Sequence, residues 1–513
     1  MTALDMDRMP VLVGVGQVTV RDEPLDALSS PLDLMEQAAG LAAADAGLDP
    51  SALADLDELV VVRSFREPTG DTPASLARRL GAANARTWLT PDGGQAPQYL
   101  VNRYFDRITR GENSFVLLAG AEAMDNARRL IKSGGKPDWR EPEPGPAELI
   151  YPDRDMVNAH EKAHGIWLAS LVYPLFENAL RHHYGRTIAE HQQAMGALFA
   201  PFTEIAATSP HAWFPVARSA TEIATPGPKN RFVGWPYTKF MNAMNQINQS
   251  AALLLTSVGE ARRRGIPDSR LLYLHGAADT VERWHITDRV NYFGSPALKV
   301  MARELFRMAG CGTGDINLVD IYSCFPSAVQ VARDALGISA DDPRPLTVTG
   351  GLPFHGGAGN NYSMNAIATM ADRLRDRPGA RGVVTANGGY LGKHSGGIYS
   401  TEPPRHLSDG SVVWSRPAPA TYQAEIDAMS APPFTATPDG AAEIETWTVA
   451  YGRDGEPTLG IVVGRLGAHD DPAATRFIAN TRNEPEILKA MTERDLVGAR
   501  GRVTAGRTNL FEF

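Results

Sequence analysis

With 513 residues, 43% of them hydrophobic and 21% charged, the chain has the composition of an ordinary globular protein and the length of about three structural units. A formal net charge of -9 argues against nucleic acid or an anionic membrane as the main partner. Two cysteines, Cys311 and Cys324, exclude a disulfide framework, no C-x-x-C or Cys/His cluster suggests a metal site, and no leader or long apolar run is visible, so a cytoplasmic protein is expected.

The predicted elements begin with a strand at 10–18, a helix at 32–46, a strand at 59–63, a short helix at 74–80 and an extended segment at 86–90. The turn Pro91-Asp92-Gly93-Gly94 then leads into a helix at 95–110 and a strand at 114–121. Strands alternating with helical patterns are the signature of βαβ units. From Met124 to Arg264 runs a long insertion rich in Trp, Tyr, His and Pro, with helix patterns at 173–181 and 187–207. Excursions of that length from a compact sheet commonly serve as lids or binding walls. Residues 316–338 read as strand, turn and amphipathic helix, 362–374 as helix, and 381–400 as an apolar strand ending in a glycine cluster. A proline-rich linker spans 403–433, and the alternating patterns at 445–451, 458–466, 475–480 and 501–513 predict a small antiparallel barrel of the OB type. The expected units are residues 1–123, 124–264, 265–402 and 403–513.

An internal echo organises the first 400 residues. Helix, charged turn, apolar strand and small-residue corner recur at 102–122 and 365–388, and Asp106-Arg107-Ile108 is answered by Asp372-Arg373-Leu374. Two related βα halves facing each other are expected. The second half contains T-V-T-G-G-L-P-F-H-G-G-A-G-N-N at 347–361, where glycines surround His355 just before a helix. Glycines let backbone N–H groups approach a ligand, and a histidine there can move protons near neutral pH. Corners of this kind sit at the strand ends of mostly parallel sheets, where ligands bind.

Five segments in order add a family likeness: A-G-A-E-A-M at 119–124, N-Q-I-N-Q-S-A-A-L-L-L at 245–255, D-I-Y-S-C-F at 320–325, the G-G…H-G-G-A-G stretch, and A-N-G-G at 386–389. Over residues 10–400 the chain resembles the thiolase superfamily, in its sterol-carrier-type branch with the mycobacterial thiolase-like proteins of type 1. The resemblance implies an α/β thiolase fold, two βα repeats in five α/β/α/β/α layers with a loop domain over a coenzyme A pocket, here followed by the OB-like barrel. It also implies a cysteine thiolate at a helix N-terminus, a histidine to accept its proton, a second cysteine acting on the substrate α-carbon, and oxyanion holes for the thioester oxygens.

Carried onto this sequence, the nucleophile's position falls at Gly94, or at Gln95 with one residue of slippage, and the second cysteine's at Ala386. Neither side chain performs thiol chemistry, so conventional thiolase activity is not expected. His355 matches the histidine of the family's G-H-P motif. Tyr322 stands at the oxyanion position of its N-E-A-F motif, where a phenol donates one hydrogen bond. His394 is a candidate for polarising a carbonyl and Lys393 for meeting a phosphate. Gly351, Gly356, Gly357, Asn387 and Gly388 are the remaining candidates for ligand contact. Cys324 reads as a packed residue and Cys311 as a connector at a helix end. No metal or separate cofactor is expected. The ligand implied is coenzyme A or an acyl-CoA, bound without thiolase chemistry. The alternatives are processing by an acetyl-CoA acetyltransferase-like acyltransferase or lyase of lipid metabolism with a histidine mechanism, and a scaffold whose barrel recruits a partner acyl-CoA enzyme. A monomer is expected.

Overall fold

A computed structural model describes residues 6–66, 69–141, 145–404 and 414–513; residues 405–413 of the proline-rich stretch lie outside it. In chain order the strands are β1 (Pro10–Thr19), β2 (Glu58–Val62), β3 (Arg86–Leu89), β4 (Phe115–Ala123), β5 (Phe232–Gly234), β6 (Tyr237–Thr238), β7 (Asn248–Ser257) and β8 (Tyr273–Val281). The second half of the chain adds β9 (Leu318–Asp320), β10 (Arg381–Gly388), β11 (Lys393–Ser400), β12 (Gly440–Tyr451), β13 (Pro457–Leu466), β14 (Thr475–Asn480), β15 (Arg500–Thr504) and β16 (Leu510–Glu512).

The first sheet has the order β1-β7-β4-β2-β3 and the second β8-β11-β10-β9. Directions match as well as order. In each sheet the first three strands pair antiparallel and the third pairs parallel with the fourth. The echo seen in sequence is therefore a repeat in space, with β4 and β10 as equivalent strands. The helices that precede them, Ala96–Thr109 and Tyr362–Arg375, pack on each other between the sheets. Helix Pro31–Asp45 covers the outer face of the first sheet and helix Pro296–Ala309 that of the second, which completes the five α/β/α/β/α layers.

Small residues set the layer spacing. A Cβ on Gly16 would stand 2.0 Å from the Ala38 carbonyl oxygen, and one on Gly276 would stand 2.4 Å from that of Leu305, so each outer helix rests directly on strand backbone. Helix Pro31–Asp45 starts at a capping box in which Ser30 accepts from the Asp33 N–H and Asp33 accepts from that of Ser30. Its alanine face, Ala38, Ala39, Ala42 and Ala43, is buried and gives the flat surface such an approach needs.

One boundary differs from expectation. The insertion was expected to run through Arg264, yet β7 lies inside that range and is an interior strand of the first sheet, between β1 and β4. Its sequence, N-Q-S-A-A-L-L-L-T-S, has a single β-branched residue and no alternation. Burial on both faces and pairing on both edges decide its conformation instead of local propensity. The rest of the insertion contains the helices Ala169–His183 and Ile188–Thr208 and the β5–β6 hairpin, which pairs onto β12.

The C-terminal strands close a barrel in the order β12-β13-β14-β16-β15 and back to β12, with helix Pro485–Glu493 between β14 and β15. That is the OB order, and its core is Trp447, Val462, Phe477, Leu488, Val503 and Phe511. The barrel does not swing free. Arg476, fully buried, bonds Glu445 and the carbonyls of Thr287 and Arg289; Thr446 and Asn178 add bonds across the seam. The stretch expected to be a linker is likewise anchored, with Arg416 paired to Asp106 and Asp279 from the two halves and a helix at Pro419–Asp427.

Candidate functional site

The site forms where β3 turns into the central helix Ala96–Thr109. Asn360, from the glycine-rich stretch, holds the turn: its Oδ1 accepts from the Gly93 N–H at 2.9 Å, and its Nδ2 donates to the Arg63 carbonyl and to Asp92 Oδ1, each at 3.0 Å. Ser363 donates to the Gly94 carbonyl at 2.9 Å. The two halves of the repeat thus meet at Gly93 and Gly94, at the N-terminus of a 14-residue helix.

Around this turn the structure gathers Gly94, Tyr322, Gly388 and Lys393. A Cβ on Gly94 would stand 2.2 Å from the Tyr322 hydroxyl and 2.7 Å from the Asn387 carbonyl oxygen. The space that a side chain at position 94 needs is therefore occupied by Tyr322. Its hydroxyl makes no hydrogen bond among the described residues, and burial beside Cys324 pushes its pKa upward, so the phenol stays protonated. Gln95 fills the neighbouring space: its Oε1 would lie 1.9 Å from a Cβ on Gly388, and its Nε2 donates to the Tyr151 hydroxyl at 3.4 Å. Lys393 donates from Nζ to the Asp92 carbonyl, and burial lowers its pKa to about 8. Residues 151–156 lie over this corner, with Asp153 paired to Arg63 and the Asp155 carbonyl accepting from Trp284 Nε1 at 2.6 Å.

His355 is close by but enclosed. Its ring stands edge-on to Tyr362 with centroids 5.9 Å apart, and Tyr362 also meets Tyr322 edge-on at 5.6 Å. Neither ring nitrogen makes a geometrically regular hydrogen bond. Burial, with the nearby His211, lowers the pKa to about 3, an effect that the Thr349 backbone only partly offsets. The imidazole is neutral at physiological pH. Beneath it Asp320, also fully buried, accepts from Thr347, Val348 and Tyr362, and burial raises its pKa to about 6.

Other sequence candidates fall elsewhere. Along β11 the odd-numbered residues face the central helix and the even-numbered ones the outer helix, as Gly397 against Gln98 and Gly396 against Leu305 demonstrate. Lys393 therefore points toward the site, whereas His394 turns away to Ser295, whose Oγ lies 3.4 Å from its Nε2. Burial and Arg289 lower the His394 pKa to about 3. On β10 Ala386 shares the inner face with Gly388, while the Asn387 side chain points outward and donates to the Tyr173 hydroxyl at 2.8 Å. Gly351, Gly356 and Gly357 meet protein: Cβ atoms there would stand 2.5 Å from Ser323 Oγ, 2.5 Å from Gln249 Oε1 and 2.7 Å from Asn245 Oδ1. These glycines let protein segments cross closely. Cys324 is buried with its thiol pKa pushed up to about 12, and Cys311 follows the left-handed Gly310 that ends its helix.

Sequence reasoning missed Asn360, Ser363, Tyr151 and Tyr173. The pair Asn360-Asn361 before a helix was a usable signal for the first two, since polar residues there satisfy backbone groups of a facing turn. Nothing local marks the others. Among the described residues no group of side chains is arranged to hold a metal ion, and no helix is long and apolar enough to cross a membrane.

Residues 421–508 match a family model described as the thiolase-like protein type 1 additional C-terminal domain. No curated protein matches the chain. Among solved structures, a monomeric SCP2-thiolase like protein type 1 from Mycobacterium smegmatis is 38% identical, with a TM-score of 0.83 over 99% of each chain. The Ltp2-ChsH2(DUF35) aldolase is 20% identical, with a TM-score of 0.58 over 77% of this chain and 98% of that one. An acetyl-CoA acetyltransferase from Syntrophomonas wolfei is 16% identical, with a TM-score of 0.53 over 77% and 99%. These last two share the fold. Identity and coverage over the whole length make this chain a member of the SCP2-thiolase-like protein type 1 family.

Proposed function

We propose that this protein binds a coenzyme A thioester and lacks both thiols of thiolase chemistry. Binding is inferred from the thiolase-like fold, and the observation that carries the loss of thiol chemistry is the Tyr322 hydroxyl in the space a Gly94 side chain would need, because it leaves no room there for a nucleophile. Ala386 on the inner face of β10 supplies no second thiol. Cys324 does not replace them, since a thiol with a pKa near 12 is almost wholly protonated at neutral pH. The enclosed, neutral His355 argues against acid–base chemistry by that residue, and so against the acetyltransferase-like reading.

A second reading, cleavage of a carbon–carbon bond beside the thioester, is favoured by the unpartnered Tyr322 hydroxyl, a protonated phenol free to donate a hydrogen bond or a proton to a bound substrate. The fold shared with an aldolase agrees with it. The monomeric state is supported by Glu148–Ile150, which cover the edge of β3 through bonds to Leu89, and by the description of the M. smegmatis relative as monomeric.

Titration calorimetry with acetoacetyl-CoA, with and without free coenzyme A, tests the proposal. Saturable heat with no continuing turnover is expected. Sustained heat that needs free coenzyme A would mean thiolysis and overturn it. No heat at all would also overturn it and favour the scaffold reading, in which deleting the barrel removes a partner.

A further inference from the structure

Seven of the chain's eight lysines are exposed; Lys393 alone is buried, with 9% of its surface accessible. Its ammonium has no carboxylate partner among the described residues and rests on one peptide carbonyl, that of Asp92. It stands 2.7 Å from the point where a Cβ on Gly93 would be, and Gln95 Oε1 stands 2.1 Å from the same point. That oxygen is buried and makes no hydrogen bond of its own. The Trp284 ring, 5.6 Å from Nζ, adds a weak attraction for a cation. A charged amine is poorly served here, since burial strips it of most of its water and the positive end of a helix begins three residues beyond Gly93, while the charges of Asp153 and Asp92, neither of which pairs with it directly, offset this only in part. The same surroundings suit a neutral amine.

We propose that Lys393 is an acyl acceptor: its neutral amine attacks the carbonyl of a bound acyl thioester and retains the acyl group as an amide. The inference rests on the coenzyme A thioester reading above. The Nζ–C bond forms as the C–S bond breaks, the proton lost from nitrogen passes to the departing thiolate, and free coenzyme A leaves as the thiol. No oxidant, metal or further reactant enters. Because an amide does not turn over as a thioester does, the product is a chain marked once at a single lysine. Burial supports this chemistry by lowering the amine's pKa to about 8, against about 10.4 for an exposed lysine. The neutral fraction at neutral pH is then about a hundredfold larger than that of the other seven.

The full-length protein incubated with acetyl-CoA and mapped by peptide mass spectrometry provides the test. The expected result is one acetyl group on Lys393, added about a hundredfold faster than on any exposed lysine, with a rate that rises with pH and levels off above about pH 8. Excess free coenzyme A should protect Lys393 and leave the exposed lysines unaffected. Lys393→Arg should lose the mark. If that variant does not fold, protection by coenzyme A in the wild-type chain is the deciding measurement. Acetyl groups spread over the exposed lysines, or none on Lys393 while calorimetry registers acetyl-CoA binding, would overturn this inference and leave the binding reading intact. No binding heat and no mark would overturn both.

Discussion

Tyr322 and Gly94 are complementary: the hydroxyl of one lies 2.2 Å from where the first side-chain atom of the other would be. No side chain fits at position 94 while the ring stays in place. Gly94→Ala is therefore expected to destabilise the fold by about 1–3 kcal/mol, the usual cost of overpacking. Adding Tyr322→Phe removes the colliding oxygen, so the double variant should recover part of the loss, and denaturant melts of the four proteins should give a coupling energy of about 1 kcal/mol. Additive effects would mean that the two residues do not compete for this space.

How much of this was legible in the sequence depended on where each decision is made. The repeat was visible because Asp106-Arg107-Ile108 and Asp372-Arg373-Leu374 sit on equivalent central helices, whose local pattern survives in the chain. β7 was not recognised as a sheet strand, because an Ala/Leu run becomes one only when both neighbours pair with it. Within the site, that position 94 carries no side chain was readable, but that Tyr322, 228 positions along the chain, takes up the space of one was not. His394 and Lys393 looked equivalent as neighbours, and strand alternation sends them to opposite faces. The glycines at 351, 356 and 357 suggested room for a ligand, but the room they make is filled by Ser323, Gln249 and Asn245.

The seam between barrel and body depends on a charge cluster. Glu445 accepts from both Arg465 and Arg476, and Arg476 reaches across to the Thr287 and Arg289 carbonyls. The guanidiniums hold the buried Glu445 carboxyl below its ordinary pKa. Glu445→Ala would leave two buried cations uncompensated and is expected to cost about 3–5 kcal/mol. Glu445→Ala combined with Arg476→Met should cost less than Glu445→Ala alone, because no full charge is then stranded at position 476. Thermal melts read the difference, and limited proteolysis should cut the single variant first near the barrel. A double variant less stable than Glu445→Ala would refute this account.

His355 and His394 both have pKa values near 3 in the folded chain, against about 6.5 unfolded. The unfolded chain therefore binds more protons between those values, and stability is lost as pH falls from about 6.5 toward 3. His355→Phe removes one of the two groups and should flatten this acid limb. Near neutral pH it should change stability by no more than about 1 kcal/mol, since the ring nitrogens have no regular hydrogen bonds to lose. Urea titrations across the acid range measure both quantities. An unchanged slope would mean that His355 is protonated in the folded protein.

Lys393 predicts the opposite limb. Its folded pKa of about 8 lies below the unfolded value, so between about pH 8 and 10.5 the unfolded chain holds the extra proton and stability rises with pH. At neutral pH the folded state carries the cost of a poorly solvated charge, at most about 3 kcal/mol. Lys393→Met keeps the length of the stem and removes the charge. It should abolish the alkaline slope and raise the melting temperature at neutral pH, although it forfeits the bond to Asp92. Melts recorded on either side of pH 8 decide the matter. If Lys393→Met lowers stability equally at both, the ammonium is better satisfied than its surroundings indicate, and the neutral amine required for acyl transfer would be scarce.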